Sequence, residues 1–173
     1  MEKIQTKRLT LRKLNKDDAK AIYEGWASDE EVTKFLTWHP HENIETTQEI
    51  LDSWLEAYKD EACYRYGIEL TKEKKLIGMI DVVEFDEGIP EIGYALSRSY
   101  WNHGYMTEAL KAFIYQLILR GYRKIYIEAD ENNLASLALI KKNGFSFLGK
   151  ERKIKSTFKN ELVTVNTYQL DIK

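Results

Sequence analysis

Apolar residues recur at three- and four-residue intervals through Leu110, Phe113, Ile114, Leu117 and Ile118, the spacing of one buried helical face. That spacing predicts a helix over 105–120, ended by Gly121. Elsewhere the period is two: Leu9 and Leu11 alternate with polar neighbours as a first strand. Asn15 is placed to cap a helix reaching about Trp26, with Asp17 and Asp18 in its opening turn, and a second helix covers 44–58. Strands over 64–70 and 75–83 are joined by the turn Thr71-Lys-Glu-Lys as a hairpin, and a strand over 91–96 follows. After the long helix come a strand over 124–129 and a short helix. The chain then closes with an antiparallel pair, 145–155 and 162–171, turning near Lys159-Asn160. The pattern is that of an α/β (α+β) protein with a mixed, mostly antiparallel sheet of about seven strands, flanked by about four helices.

Composition narrows the class without naming a chemistry. A length of 173 residues with 43% apolar content suits one globular domain, 1–173, and neither a repeat nor a Pro-, Gly- or Ser-rich linker divides it. Pro40 and Pro90 fall in expected loops. A net charge of −2 offers no footprint for nucleic acid, and the cationic group Lys150, Arg152, Lys153 and Lys155 reads as a solvated strand edge. The opening Met-Glu-Lys-Ile-Gln-Thr-Lys lacks an apolar signal region and no stretch approaches a membrane span, so a cytoplasmic protein without a membrane partner is expected. Cys63 is the single cysteine, which excludes an internal disulfide and reads as a buried inert thiol. No His/Cys cluster has ligand spacing, so no metal is expected.

Two segments carry candidate chemistry. In Trp101-Asn-His-Gly-Tyr-Met-Thr-Glu-Ala109 a strand hands over to the long helix, and such a junction presents backbone N–H groups and a helix dipole to an anion. Gly104, lacking a Cβ, lets an oxygen-rich group approach the main chain, and Thr107 in the first turn adds a hydroxyl. The second segment, Ala129-Asp-Glu-Asn-Asn-Leu-Ala-Ser-Leu-Ala-Leu-Ile-Lys-Lys-Asn-Gly-Phe145, places Asn133 as an N-cap and Ser136 in the first turn of the short helix.

Together these segments resemble the GNAT superfamily of acyl-CoA-dependent N-acetyltransferases, most closely the ribosomal-protein alanine N-acetyltransferase (RimJ/RimL-like) branch. In order, the shared features are Glu-Ile-Gly-Tyr, the Trp-x-x-Gly-Tyr-x-Thr-Glu-Ala loop, a strand, Asn-x-x-Ser, a helix and Asn-Gly-Phe. The likeness extends from about Lys7 to the C-terminus and is specific between Glu91 and Phe145. Trp101 and Met106 depart from the wider superfamily in the direction of that branch, whereas Thr164 stands where many of its members have Asp.

The resemblance implies acetyl-CoA as cosubstrate, without a metal. It assigns main-chain groups of Tyr94 and Leu96 to the pantetheine arm and those of Gly104, Tyr105, Met106 and Thr107 to the pyrophosphate, with His103 and Lys142 as further donors. Asn133 would touch pantetheine as well as cap its helix. Ser136 would protonate the departing thiolate, because Ile140 occupies the place of a tyrosine used by other members. An attacking amine of pKa ~8 to ~10 must first shed a proton, and Glu91, then Glu128, match the family's carboxylates for that step. Orientation and backbone donors could supply much of the rate without one essential base. Trp38, His39 and His41, with Glu42 and Glu45 nearby, are candidates for lining an acceptor cleft. Protein N-termini and small-molecule amines both remain open as acceptors. A noncatalytic acyl-CoA sensor or scaffold is the alternative, disfavoured by the joint presence of Glu91, Glu128, Asn133 and Ser136. The edge of the C-terminal strands offers a surface for homodimerisation.

Overall fold

The computed structural model describes residues 1–155 and 162–172. Its sheet holds eight strands among these residues: β1 (Ile4–Gln5), β2 (Leu9–Arg12), β3 (Arg65–Leu70), β4 (Lys75–Asp86), β5 (Ile89–Leu96), β6 (Lys124–Asp130), β7 (Ser146–Lys155) and β8 (Leu162–Asp171). They lie in the order β1-β2-β3-β4-β5-β6-β8-β7. Every neighbouring pair is antiparallel except β5 with β6, whose connection is a helical crossover. The mixed, mostly antiparallel sheet expected from the pattern is therefore present, with β1 as an additional strand. Two residues are too short for an alternating signal, and β1 exists through its pairing of Ile4 with Leu11. The turn expected at Lys159-Asn160 and the side chains of Lys150, Arg152, Lys153 and Lys155 lie outside the described residues.

One sheet face is covered by α4 (Tyr105–Leu119) and α5 (Leu134–Lys142), the other by α1 (Ala19–Ile22) and α3 (Ile44–Ala57). The α4 stripe behaves as its spacing requires: Leu110, Phe113 and Leu117 are fully buried against Leu9, Ile68 and Ile80 of the sheet. Burial of each such side chain contributes on the order of 1.5–3 kcal/mol. On the opposite face Trp26, Ile22 and Leu51 pack over Met79 and Ala95.

The first helix differs from the continuous run expected to Trp26. It is a 3-10 turn at Lys16–Asp18, then α1, then a π turn at Tyr23–Ala27. Asn15 does cap it, in a reciprocal box with Asp18. The widening is marked by Ser28, whose N–H and Oγ both donate to Tyr23 O at 3.2 and 2.8 Å, and Gly25 lies inside it. A short α2 (Glu30–Thr33), capped by Asp29, follows and was not expected. Asn43 caps α3 by accepting from Thr46 N–H.

Tight contact between β4 and β5 fixes the strand that leads to the site. A Cβ built on Gly78 would stand 2.4 Å from Ala95 O, a backbone atom that cannot swing aside. Gly78→Ala is accordingly expected to lower stability by about 1–3 kcal/mol, read as a lower urea midpoint; an unchanged midpoint would show that β4 and β5 are not held this closely.

Candidate active site

β5 and β6 touch, among the described residues, at the single register pair Glu91↔Tyr126. Beyond that pair β5 continues to Leu96 while β6 runs on to Asp130, and main-chain groups of β5 face the gap instead of a neighbouring strand. A cavity of about 550 Å³ opens there, between the end of β5, the start of α4, α5 and the α2 segment. Tyr94 and Leu96 line it from the strand. Gly104, Tyr105, Met106 and Thr107 line it from the loop and first turn of α4, and Asn133, Ser136 and Lys142 from α5. His103, exposed in the same loop, is not part of this lining and packs its ring 6.0 Å from that of Tyr105.

The loop's shape follows from two residues in the left-handed region, Asn102 at φ 63° and Gly104 at φ 75°. Helical bonding of α4 begins with Glu108 N–H on Gly104 O at 3.1 Å, so the helix itself does not use the N–H groups of Tyr105, Met106 and Thr107. Trp101 ties the loop back to the strand: its indole Nε1 donates to Leu96 O at 2.7 Å. One lone pair of the Leu96 carbonyl is thereby occupied, which leaves less of this edge for a ligand than the family pattern implies.

Arg8, which sequence reasoning missed, holds the loop from the far side. Its Nε donates to Glu108 Oε2 at 2.7 Å, its backbone N–H to Glu108 Oε1 at 2.8 Å, and its guanidinium to His103 O at 2.9 Å. The same guanidinium lies 4.3 Å from the Tyr105 ring centroid. Thr6 Oγ1 adds a 2.6 Å hydrogen bond to Glu108 Oε1. Desolvation pushes the Glu108 carboxyl up, but the hydrogen bonds from Thr6 and Arg8 outweigh it and hold the group below its ordinary value.

On α5, Asn133 Oδ1 accepts from Ser136 N–H at 3.1 Å, the capping role expected of it. Ser136 Oγ lies 2.6 Å from the Tyr94 hydroxyl, so the tyrosine reaches the site with its side chain as well as its backbone. Burial pushes the Tyr94 phenol up to about 12, against an opposing effect of the Ser136 hydrogen bond. Ile140 is fully buried in the core and absent from the cavity lining.

The two carboxylates occupy the other sheet face. Ile92 and Tyr94 of β5 and Ile125, Ile127 and Ala129 of β6 belong to the core under α4. Alternation therefore turns Glu91, Tyr126 and Glu128 away from it. There they line a second cavity of about 210 Å³ with Glu84, Asp86 and Thr167. Thr167 Oγ1 donates to Glu128 Oε1 at 2.8 Å, which orients that carboxylate.

The aromatic residues expected at an acceptor cleft are placed otherwise. His41 is buried, its Nδ1 2.8 Å from Thr47 Oγ1, and Trp38 packs against it and the core under α3. Burial holds the His41 imidazole below its ordinary pKa. His39 is exposed, and none of the three lines either cavity. The cleft wall at this end comes from Glu31, Val32, Phe35 and Leu36. Cys63 is partly buried, not fully, and desolvation pushes its thiol up, consistent with an inert group.

The acetyltransferase (GNAT) domain model matches residues 8–146. An uncharacterized N-acetyltransferase, YoaA of Bacillus subtilis, is 30% identical over 145 residues, covering 82% of this chain and 81% of the relative. Among solved structures, a GNAT-family acetyltransferase from Bacillus anthracis superposes with a TM-score of 0.84 at 25% identity, covering 98% of each chain. A RimL ribosomal alpha-N-protein acetyltransferase in complex with coenzyme A superposes with a TM-score of 0.86, covering 99% of this chain and 98% of that one; at 21% identity this is a likeness of fold. The chain belongs to the GNAT acetyltransferase family and is an acyltransferase of that class.

Because the Glu108 carboxyl is held below its ordinary value, its contribution to stability is present above that value and is lost as pH falls through the folded pKa. Glu108→Gln should remove about 1 kcal/mol or less at neutral pH, since the Arg8 partner is 40% exposed and screened, and should flatten the acid limb of the stability curve. An acid limb identical to the parent's in thermal melts would remove Glu108 as the anchor of the loop.

Proposed function

We propose that the protein is an acetyl-CoA-dependent N-acetyltransferase of the RimJ/RimL-like branch. As one domain, it moves the acetyl group to a primary amine by direct attack in a ternary complex. The observation that carries this reading is the placement of two kinds of group on either side of the parted strands: hydroxyls of Tyr94 and Ser136 on the α5 side, carboxylates of Glu91 and Glu128 on the other. An acyl-CoA threaded into the larger cavity would set its diphosphate against the N–H groups at the start of α4. Its pantetheine amides would run along β5 beside Asn133, with Lys142 near an outer phosphate. The thioester then falls near the Glu91↔Tyr126 pair, within reach from both faces.

In that pose the amine nitrogen attacks the thioester carbon, the C–S bond breaks as the tetrahedral centre collapses, and the nitrogen loses a proton to a carboxylate directly or through water. Ser136 donates to the departing sulfur. The acidic character of the smaller cavity favours an acceptor whose amine arrives protonated, and Glu91 or Glu128 would relieve it of that proton. Protein N-termini, polyamines, amino acids and aminoglycosides all meet this requirement.

Release of free CoA thiol from acetyl-CoA, followed across a panel of N-terminal Ala, Ser and Met peptides, polyamines, amino acids and aminoglycosides, is expected to show strong turnover with one group. Acetyl-CoA binding without turnover on any member would count against this acceptor range. With the best acceptor, Glu91→Gln or Glu128→Gln should lower kcat by about 100-fold and alter the pH–rate profile; parent-like profiles for both variants would leave proton removal to water alone.

A further inference from the structure

We infer that Tyr94 is a positioning residue for the leaving-group step, aiming the Ser136 hydroxyl at the sulfur of bound CoA. The inference rests on the role proposed above for Ser136. A phenol and an alcohol 2.6 Å apart hold two hydroxyl protons, and one of them lies between the oxygens. The other has to point elsewhere, and both residues line the acyl-CoA cavity. Of the two groups the phenol is the stronger acid and, with its oxygen lone pair delocalised into the ring, the poorer acceptor. Tyr94 therefore donates and Ser136 accepts, which leaves the serine proton as the one presented to the cavity.

The surroundings fix both partners. Ser136 sits in the first turn of α5 with its N–H on Asn133 Oδ1, so its Cα cannot drift along the helix axis. The Tyr94 ring packs against the core under α4, and its position on β5 is set by the pair Ile80↔Tyr94. A lone serine hydroxyl would rotate among three staggered positions; the incoming Tyr94 hydrogen bond favours the one that faces sulfur. Donation to the serine oxygen also polarises its O–H, which strengthens the bond that it makes in turn. Burial keeps the phenol protonated through the neutral range, so the donor is always loaded.

The proton count closes. As the C–S bond breaks, the Ser136 O–H bond gives its proton to sulfur, Ser136 Oγ takes the Tyr94 proton, and the phenolate recovers one from solvent. The proton that the amine gave to the carboxylate or to water returns to solvent in exchange, so the protein ends as it began.

The test uses CoA itself and needs no acceptor. The pKa of the enzyme-bound CoA thiol is read from its ultraviolet thiolate absorbance during a pH titration of the parent, Tyr94→Phe, Ser136→Ala and the double variant. Ser136→Ala should raise the bound-thiol pKa by roughly 1 unit, the size of a lost hydrogen bond to an anion. Tyr94→Phe, which keeps the ring, should raise it by about half of that or more with CoA affinity within about two-fold of the parent, and the double variant should match Ser136→Ala alone. No shift in Ser136→Ala would overturn both the serine's role and this inference. A shift in Ser136→Ala with none in Tyr94→Phe would overturn this inference alone, as would a double variant whose shift is the sum of the single ones.

Discussion

The site depends on one feature of the sheet, the meeting of β5 and β6 at Glu91↔Tyr126 and their parting beyond it. Two strands that stay paired have no main-chain groups to offer a ligand and no space between them. Strands that part offer both, and here a cavity of about 550 Å³ opens at the end of β5, lined also from α2, α4 and α5. The crossover by α4 imposes the parallel direction, and it delivers the helix N-terminus to the C-terminal end of β5, where the start of the helix and the end of the strand line one cavity. The same alternation of side chains that buries Ile92 and Ile127 sends Glu91 and Glu128 to the opposite face. The hydroxyls of Tyr94 and Ser136 and the carboxylates of Glu91 and Glu128 are thereby kept on opposite faces of a single strand layer.

A cavity of this kind has to be held open without a ligand. The loop at 101–104 is held from both ends, by Trp101 Nε1 on Leu96 O and by the Arg8 guanidinium on His103 O. Glu108, one turn into α4, collects Thr6 and Arg8 from the N-terminal edge of the sheet. A negative side chain near a helix N-terminus is itself favourable, so the anchor and the dipole act in the same direction. The backbone amides stay available because the anchoring is done by side chains and carbonyls.

Much of this was legible in the sequence because it is local. The stripe from Leu110 to Leu117 announced α4, Gly104 marked the junction before it, and Asn133 announced the cap of α5; each signal spans fewer than a dozen residues. What escaped depends on partners far along the chain. Arg8 and Glu108 are 100 residues apart and Tyr94 and Ser136 are 42 apart, so neither pair leaves a spacing to read. The residues 38–41 misled in the opposite way: an aromatic-rich loop beside a helix suggests a cleft, yet His41 and Trp38 are drawn into the core under α3 by a partner at Thr47. The π turn at Tyr23–Ala27 inserts a residue that no 3.6-residue periodicity anticipates, and it puts Trp26 and Ala27 together inside.

Amide hydrogen exchange with and without saturating CoA reads the parted strands directly. Slowed exchange is expected on the β5 segment 92–96, at 104–107 where α4 begins, and at the start of α5 near Asn133 and Ser136, with α3 unchanged. CoA binding that leaves the 92–96 and 104–107 amides at their free rates would contradict the placement of the ligand between β5 and β6.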